Sequence, residues 1–434
     1  MNNRLTRSFL LVAFLFGFDK LVALVRQVLV ARSFGVGSAL DAYNAANNLP
    51  DLVFAVISGG AMAVAIVPIL TESLDRDGRA AAWALFSRLA NWAFLLTGGL
   101  AVLLATFSAP LIEHVVVPHF TPENQATTES LMRLDLLALM LFSISGLVIG
   151  SLQAHKHFFL PALAPVFYNV GQIIGVLVFV PAFGVFGLAY GTILGALLHL
   201  LIQVPALIRY GFRWTPSLDF RAPGVMKAAR LMGPRILTVA AIQAIFVTTD
   251  NFASGLGAGA ITALAYGWLI LQVPETIIGS ALGTVLLPTL SEMADRGTRE
   301  EVRRMIRRAL GVIFALTLPI VAIGIPLMGT AVRLVFEGRA FTVEATAMVT
   351  ATASLFLLAL PAHAILETTV RAFYAHQDAR TPLFAAGLTA ILFISLCFLL
   401  TRVMGYTGVA LANTLAFSFE AMLLLWLLRR RGLI

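Results

Sequence analysis

Residues 19–68 read DKLVALVRQVLVARSFGVGSALDAYNAANNLPDLVFAVISGGAMAVAIVP, and this stretch decides the fold. It has the composition of two long apolar helices, yet it contains several charged residues, among them Asp19, Lys20, Arg26, Arg32 and Asp41. A charge near the bilayer centre costs at least ~2.5–3.5 kcal/mol, so it persists only where it faces a partner or a water-filled cavity. The pattern therefore predicts a cavity with cationic walls, suited to an anionic headgroup.

The spacing of these charges suggests how the cavity is built. Asp19 and Arg26 fall on nearly the same helix face, whereas Lys20 lies off that face. Asp19 therefore cannot neutralise both cations. Pro50 and the pair Gly59-Gly60 are expected to interrupt the second helix, as happens where backbone lines a cavity.

Composition places the whole chain in the membrane. Of the 434 residues 59% are hydrophobic and 12% are charged, and the mean hydropathy is +0.91. Soluble domains carry about a quarter charged residues, so the sequence predicts an all-α polytopic membrane protein. No cleavage site of convincing form follows the first apolar run, which is interpreted as a retained helix. The single cysteine, Cys397, excludes an intrachain disulfide and argues against a metal site.

Hydropathy predicts twelve spans, near 8–33, 40–71, 82–110, 126–153, 158–180, 186–209, 235–257, 260–291, 304–334, 342–373, 382–402 and 407–428. Most of the 30 lysines and arginines fall in loops on one side, among them the loops that follow spans two, six and eight. By the positive-inside rule both termini are expected to be cytoplasmic. The net charge of +8 is thus explained by basic residues in the cytoplasmic loops, and no nucleic-acid partner is expected.

The sequence repeats itself. Ala154, His155 and Pro161 recur 221 positions later, and so do Gly184, Gly187 and Ala189; a third block, Pro68 to Arg76, recurs at an offset of 220. The repeat predicts an N-terminal six-helix lobe over 1–210 and a C-terminal lobe over 235–434, joined by a cytoplasmic linker, 211–234, with a short amphipathic helix. An even number of spans per half makes these parallel repeats, a design common among alternating-access transporters.

Several motifs resemble one known family. They are VRQVLVARSFGVGSALDAYNAANNLPDL (25–52) with VPIL (67–70), PALAPVFYNV (161–170), ALGTVLLPTLSE (281–292) and YAHQDARTP (374–382). Together they resemble the MurJ (MviN) lipid II flippases. The resemblance implies the multidrug/oligosaccharidyl-lipid/polysaccharide (MOP) exporter fold, which is MATE-like and has two six-helix lobes. It also implies a place in the bacterial inner membrane and transfer of an undecaprenyl-pyrophosphate-linked peptidoglycan precursor to the outer leaflet.

The chain departs from the family pattern at several positions. Lys20, Arg26 and Asp41 match charged cavity positions of the family, with lysine in place of arginine at position 20. Basic residues that the family usually carries early in the second helix and in the eighth helix are replaced here by Asn48, Phe54, Ala55 and Leu269. The family commonly has fourteen helices, whereas twelve are predicted here.

Two candidate sites follow. Lys20 and Arg26 are expected to bind the pyrophosphate, with Asp19 or Asp41 holding one cation while the site is empty. The alternative is a structural ion pair, and Arg32 is expected to extend to the outer interface. In the second half Asp250, Thr249 and Asn413 are candidate ligands for sodium, an ion that some family members are described as holding with a seventh-helix Asp. The alternative is that Asp250 meets water at the outer boundary.

Other polar residues within the spans have simpler expected roles. Glu420 is interpreted as a proton relay or a buried neutral acid. Glu367 and Arg371 are expected to pair along one helix, and His199 and His363 to be hydrogen-bonded core residues.

Sequence motifs of enzymes and nucleotide-driven pumps are absent, so neither catalysis nor nucleotide binding is expected. The sequence favours a monomeric flippase for a polyprenyl-linked anionic lipid. An exporter of another lipid-linked oligosaccharide or of a small cation remains open, as does a non-transporting membrane scaffold derived from a flippase.

Overall fold

The computed structural model describes residues 3–57, 61–280, 299–375, 378 and 380–432. Across these residues the regular structure is helical apart from one isolated bridge between Gly338 and Phe341. The sequence-based prediction of an all-α membrane protein is therefore confirmed.

The helices of the first half are α1 Asn3–Phe34, α2 Ser38–Ile57, α3 Ala61–Arg76, α4 Gly78–Thr106, α5 Ser108–Leu111, α6 Pro122–Ala154, α7 Phe159–Ile174, α8 Val180–Phe183, α9 Phe186–Leu201 and α10 Val204–Arg209. Those of the second half are α11 Pro223–Ala253, α12 Ala260–Glu275, α13 Arg299–Phe336, α14 Val343–Leu358, α15 Leu360–Ala375, α16 Arg380–Met404 and α17 Tyr406–Arg430. Three wider π-helical turns extend α5, α7 and α12, at Ile112–Val116, Gly175–Phe179 and Thr276–Ser280.

Eight helical segments of the described chain are long and apolar enough to cross a membrane. A ninth span is formed if α14 and α15, which meet at a 43° bend, are counted together. Three more predicted spans coincide with α1, with α2 and α3, and with α11. Within the described residues a helix thus covers at least part of each of the twelve predicted spans; 58–60 and 281–291, in the second and eighth spans, lie outside them.

The chain divides into two compact units. Unit 1 comprises residues 1–34 and 38–247, and unit 2 comprises residues 35–37 and 248–434. The predicted linker, 211–234, falls within unit 1, where its backbone accepts hydrogen bonds from Asn91 and Trp92 of α4. The division into lobes at 210 and 235 stays a prediction.

Two local predictions differ from the structure. Pro50 lies inside α2, which continues through it to Ile57, so the expected break at Pro50 is wrong. A helix tolerates an internal proline when neighbouring groups satisfy the freed carbonyl. Gly59 and Gly60 lie outside the described residues, as do Pro288 and the rest of its repeat block. The amphipathic helix expected in the linker is the start of α11, which runs from Pro223 to Ala253 without interruption.

The structure reproduces the internal repeat at the last two spans of each half. Gly184 precedes α9 with φ 58° and ψ −136°, and Gly405 precedes α17 with φ 59° and ψ −140°. This conformation is essentially restricted to glycine. Pro161 and Pro382, also 221 apart, are each the third residue of their helix.

Glycines allow α7 and α9 to pack with their backbones in contact. A Cβ on Gly171 would lie 2.3 Å from Cα of Gly195, and one on Gly175 would lie 2.5 Å from Cα of Gly191. The four-residue spacing of these pairs is the small-residue packing typical of membrane helices. This close approach fixes α7 against α9 and so positions the polar side chains described next.

Candidate substrate site in unit 1

Two polar contacts join α1 to α7. Arg26 of α1 donates a hydrogen bond to Oε1 of Gln172, and Asp19 accepts one of 2.8 Å from Nδ2 of Asn169. Asn169 and Gln172 are three residues apart on α7 and so share one helix face. Among the described hydrogen bonds and ion pairs, Asp19 and Arg26 are joined to α7 and not to each other.

Gln172 extends the contact of Arg26 into a network across four helices. Its Nε2 donates to the Tyr168 hydroxyl at 2.7 Å and to Oγ1 of Thr192, on α9, at 3.0 Å. Thr192 in turn lies 3.0 Å from the hydroxyl of Tyr43, on α2. Buried polar networks of this kind hold each member in one orientation. The guanidinium of Arg26 is thereby positioned by α2, α7 and α9 together.

Arg26 keeps capacity for a further ligand. Its side chain is half-buried, and its described hydrogen bonds go to Gln172 and, at 3.3 Å, to Gln27. A guanidinium offers five N–H donors in a fixed fork that matches phosphate oxygens. Lys20 is exposed on the same helix. These two cations could bind the oxygens of an anionic headgroup.

The other two predicted site residues of this region lie at helix ends. Asp41 is 1% exposed in the first turn of α2, where the positive end of the helix dipole favours a carboxylate. Arg32 is exposed in the last turn of α1, where the negative end favours a cation. Neither residue is among the described hydrogen-bonding partners of Arg26.

An aromatic pair occupies a position where the family resemblance led us to expect a cation. Phe54 of α2 packs edge-on against Phe142 of α6, with ring centroids 5.6 Å apart. Phe142 also contacts Tyr168, whose hydroxyl belongs to the network around Arg26. The network is therefore bordered by apolar rings on the side of α2 and α6.

The candidate sodium ligands lie on two helices of unit 2. Asp250 is buried near the end of α11, next to Thr249, which is half-buried. Asn413 is buried in α17, and its Oδ1 has no hydrogen-bond partner among the described residues. Carboxylate, hydroxyl and amide oxygens of these types suit a hard cation.

The remaining polar residues within the spans mostly follow expectation. Glu367 and Arg371 form the predicted pair, at 2.8 Å, and His199 is hydrogen-bonded to Ser145 at 2.6 Å. His363 differs, since its buried Nε2 lacks a hydrogen-bond partner within the described chain. Glu420 is buried in α17 and interacts with Thr389 of α16.

Sequence reasoning missed the polar partners on α2, α7 and α9. Tyr43, Asn169, Gln172 and Thr192 were not singled out, although each interrupts an apolar helix. The available signal was the three-residue spacing of Asn169 and Gln172, which places two amides on one helix face. A polar side chain within a span has to find a partner, so such a pair marks a helix contact.

Comparison with known proteins identifies a family for this chain. The sequence model described as "Lipid II flippase MurJ" matches residues 30–434. A lipid II flippase MurJ of Burkholderia cenocepacia is 28% identical over 430 residues, which cover 96% of this chain and 82% of that relative. A probable lipid II flippase MurJ of Thermotoga maritima is 29% identical over 407 residues, covering 92% of this chain and 80% of the relative.

Solved structures share the fold. A lipid II flippase MurJ in an inward closed conformation superposes with a TM-score of 0.83 at 24% identity, covering 97% of this chain and 87% of that one. An inward-facing multidrug resistance MATE family transporter of the MOP superfamily gives a TM-score of 0.78 at 15% identity, with 95% and 94% covered. These similarities confirm the MOP exporter architecture expected from the sequence.

Proposed function

Because the chain belongs to the MurJ family of lipid II flippases, we propose that it moves lipid II, a polyprenyl-linked peptidoglycan precursor, across the membrane. The mechanism would be alternating access, in which movements of the two units open the substrate site first to one face of the membrane and then to the other. No catalytic activity is expected of a member of this family.

One observation supports the proposal most strongly. Arg26 lies deep within the long helix α1, half-buried, and is oriented by the network of Gln172, Thr192 and Tyr43. A cation held in a water-poor site forms short, strong bonds to phosphate oxygens. Arg26 would therefore bind the pyrophosphate of the lipid, and the exposed Lys20 would add a second charge.

Growth of cells depleted of their own lipid II flippase tests this function. The wild-type chain should restore growth, and Arg26→Ala should not, at equal amounts in the membrane. Arg26→Lys keeps the charge but loses the forked geometry, so partial growth is expected. Failure of the wild-type chain to restore growth would contradict lipid II as the substrate, leaving another lipid-linked oligosaccharide or a scaffold role.

We further propose that the protein sits in the bacterial inner membrane as a monomer, with both termini in the cytoplasm. The loop around Pro122 contains neither lysine nor arginine between 111 and 125, whereas 211–234 is basic. In a Cys397→Ser background, a cysteine at 122 should react with an impermeant reagent from outside, and one at 222 should not. Labelling at 222 and not at 122 would show that the orientation is the opposite of the one proposed.

In unit 2 we propose a sodium site formed by Asp250, Thr249 and Asn413. The buried and unpartnered Oδ1 of Asn413 supports it, because such an oxygen gains from a cation ligand. Sodium should then raise the melting temperature of the purified protein relative to choline, and Asp250→Asn should remove this difference while leaving the protein folded. A wild-type protein that melts identically in both salts would refute the site.

A further inference from the structure

Asp135 of α6 is a buried acid for which the described chain supplies no hydrogen bond. The residue is 3% exposed, and neither Oδ1 nor Oδ2 has a partner. It lies thirteen residues beyond Pro122, the first residue of α6, which is ~20 Å along the helix axis. The residue is therefore deep inside a membrane-spanning helix.

An ionised carboxylate is strongly disfavoured in such a place unless donors or a cation compensate it. Arginine, lysine and histidine form no ion pair with Asp135 anywhere in the described residues, although other acids of the chain have such partners. Arg26, the cation of the network around Gln172, is hydrogen-bonded to Gln172 and Gln27. The two oxygens of Asp135 thus lack the compensation that an ionised form requires.

A second acid, Asp51, faces Asp135 from α2. The two carboxyl groups interact electrostatically, and Asp51 is exposed whereas Asp135 is buried. Asp51 lies thirteen residues beyond Ser38, the first residue of α2. Because spans two and four enter the membrane from the same side, this matches the depth of Asp135. The pair therefore consists of one enclosed and one accessible carboxyl group at one level of the membrane.

Two tyrosines also interact electrostatically with the pair. Tyr43 of α2 interacts electrostatically with Asp135, and Tyr168 of α7 interacts with both acids. Arg26 of α1 acts on both tyrosines. The described hydrogen bonds of Arg26 go to Gln172 and Gln27 and to neither acid, so the pair carries uncompensated negative charge if both acids are ionised. Two such carboxyl groups share a proton instead.

We propose that Asp135 is a proton-binding site of unit 1, which exchanges its proton with water through Asp51. A proton needs a single oxygen, whereas a hard metal cation needs a shell of several oxygens. The buried carboxyl group is thus protonated in the resting protein, and Asp51 is the ionised, water-exposed group that receives the proton when it leaves. This function concerns an ion and not the lipid.

Loss of the proton would act on the substrate site, a consequence that rests on the proposed flippase function. A negative charge on Asp135 acts on Tyr43, which is hydrogen-bonded to Thr192, and Thr192 is bonded to Gln172, the partner of Arg26. Protonation and headgroup binding therefore share one network. A proton gradient could in this way contribute to the direction of transport.

Infrared spectroscopy of the purified protein in lipid nanodiscs tests the site without any substrate. A protonated carboxyl group has a carbonyl stretch well separated from that of a carboxylate. At pH 7 this band should be present in the wild type, reduced in Asp135→Asn, and unchanged in Asp219→Asn, an exposed acid that serves as the matched control. Melting curves should show Asp135→Asn folded, because asparagine mimics the protonated acid.

Two further measurements separate the roles. In deuterated buffer the band shifts as the proton exchanges, and Asp51→Asn should slow this shift several-fold; an unchanged rate would overturn the role of Asp51. A band unaltered by Asp135→Asn in folded protein would overturn the proton site itself. Loss of the wild-type band on adding sodium at constant pH would also overturn it, in favour of a metal cation. None of these three results depends on whether the chain transports lipid II.

Discussion

Replacement of Arg26 by alanine distinguishes a role in substrate binding from a structural role for this residue. The described hydrogen bonds of Arg26 go to two neutral amides, of which Gln172 is the buried partner. Gln172 keeps its bonds to Tyr168 and Thr192 in the variant, so one buried acceptor, Oε1 of Gln172, loses its donor. A hydrogen bond to a charged group contributes ~1.5–3 kcal/mol, whereas breaking a buried ion pair costs ~3–5 kcal/mol. We therefore expect a loss of ~1.5–3 kcal/mol.

The expected result is a modest loss of stability together with a complete loss of transport. Unfolding of the purified protein in detergent would measure the loss of stability. Delivery of lipid II to the outer leaflet would measure transport. Gln172→Leu is the control that leaves the cation in place. It breaks the bond to Arg26 and also those to Tyr168 and Thr192, so it should lose at least as much stability but retain part of the transport.

Asp19→Asn completes the design as a double-mutant cycle. Asp19 accepts its bond from Asn169, and an asparagine oxygen can still accept it, so this change should be mild. Because the two residues are bonded to different side chains, their effects should add within ~0.5 kcal/mol. A large stability loss in Arg26→Ala that Asp19→Asn restores would refute the reasoning and indicate a structural ion pair.

Three further predictions concern packing and charge. Gly195→Ala should destabilise by ~1–3 kcal/mol in thermal melts, because its Cβ would lie 2.6 Å from the Tyr168 carbonyl oxygen, whereas Gly99→Ala, with no atom within 4 Å, should not. Gly405→Ala should cost roughly 1–3 kcal/mol, since its φ of 59° suits glycine; a neutral effect would contradict the assigned conformation. Burial opposes ionisation of Asp378, but bonds from Thr381 and Arg431 outweigh it and lower the pKa of Asp378 to about 2. The stabilisation is therefore present above the unfolded pKa of ~3.9 and lost as the pH falls towards 2, so Asp378→Asn should show the same deficit in melting temperature at pH 7 and pH 5. A deficit that shrinks between these two values would contradict the assignment.

The fold could be predicted because its signals are local. Apolar runs of membrane-spanning length mark the helices, and the offset of 221 between Gly184 and Gly405 predicts two turns of the same kind, which the structure contains. Each of these features depends on residues close together in the sequence and on the absence of water in the bilayer.

The details of the site could not be predicted because they depend on distant partners. Arg26 and Asp19 share a helix face, which suggested a bond between them, yet Gln172 and Asn169 are closer acceptor and donor once α7 packs on α1. The isolation of Asp135 is likewise a property of packing, since a sequence does not reveal which carboxyl group lacks donors. The effect of Pro50 could not be predicted for the same reason, because tertiary contacts decide whether a proline breaks a membrane helix.

The most direct test of the proposed function is the appearance of lipid II on the outer leaflet. In cells whose own flippase is switched off, outer-leaflet lipid II can be measured by its cleavage with an enzyme added from outside. Expression of this chain should restore cleavage, and Arg26→Ala, present in the membrane at the same level, should not. Cleavage that stays at the level of depleted cells with the wild-type chain, or that is equal for the wild type and Arg26→Ala, would contradict a lipid II flippase that binds its substrate through Arg26.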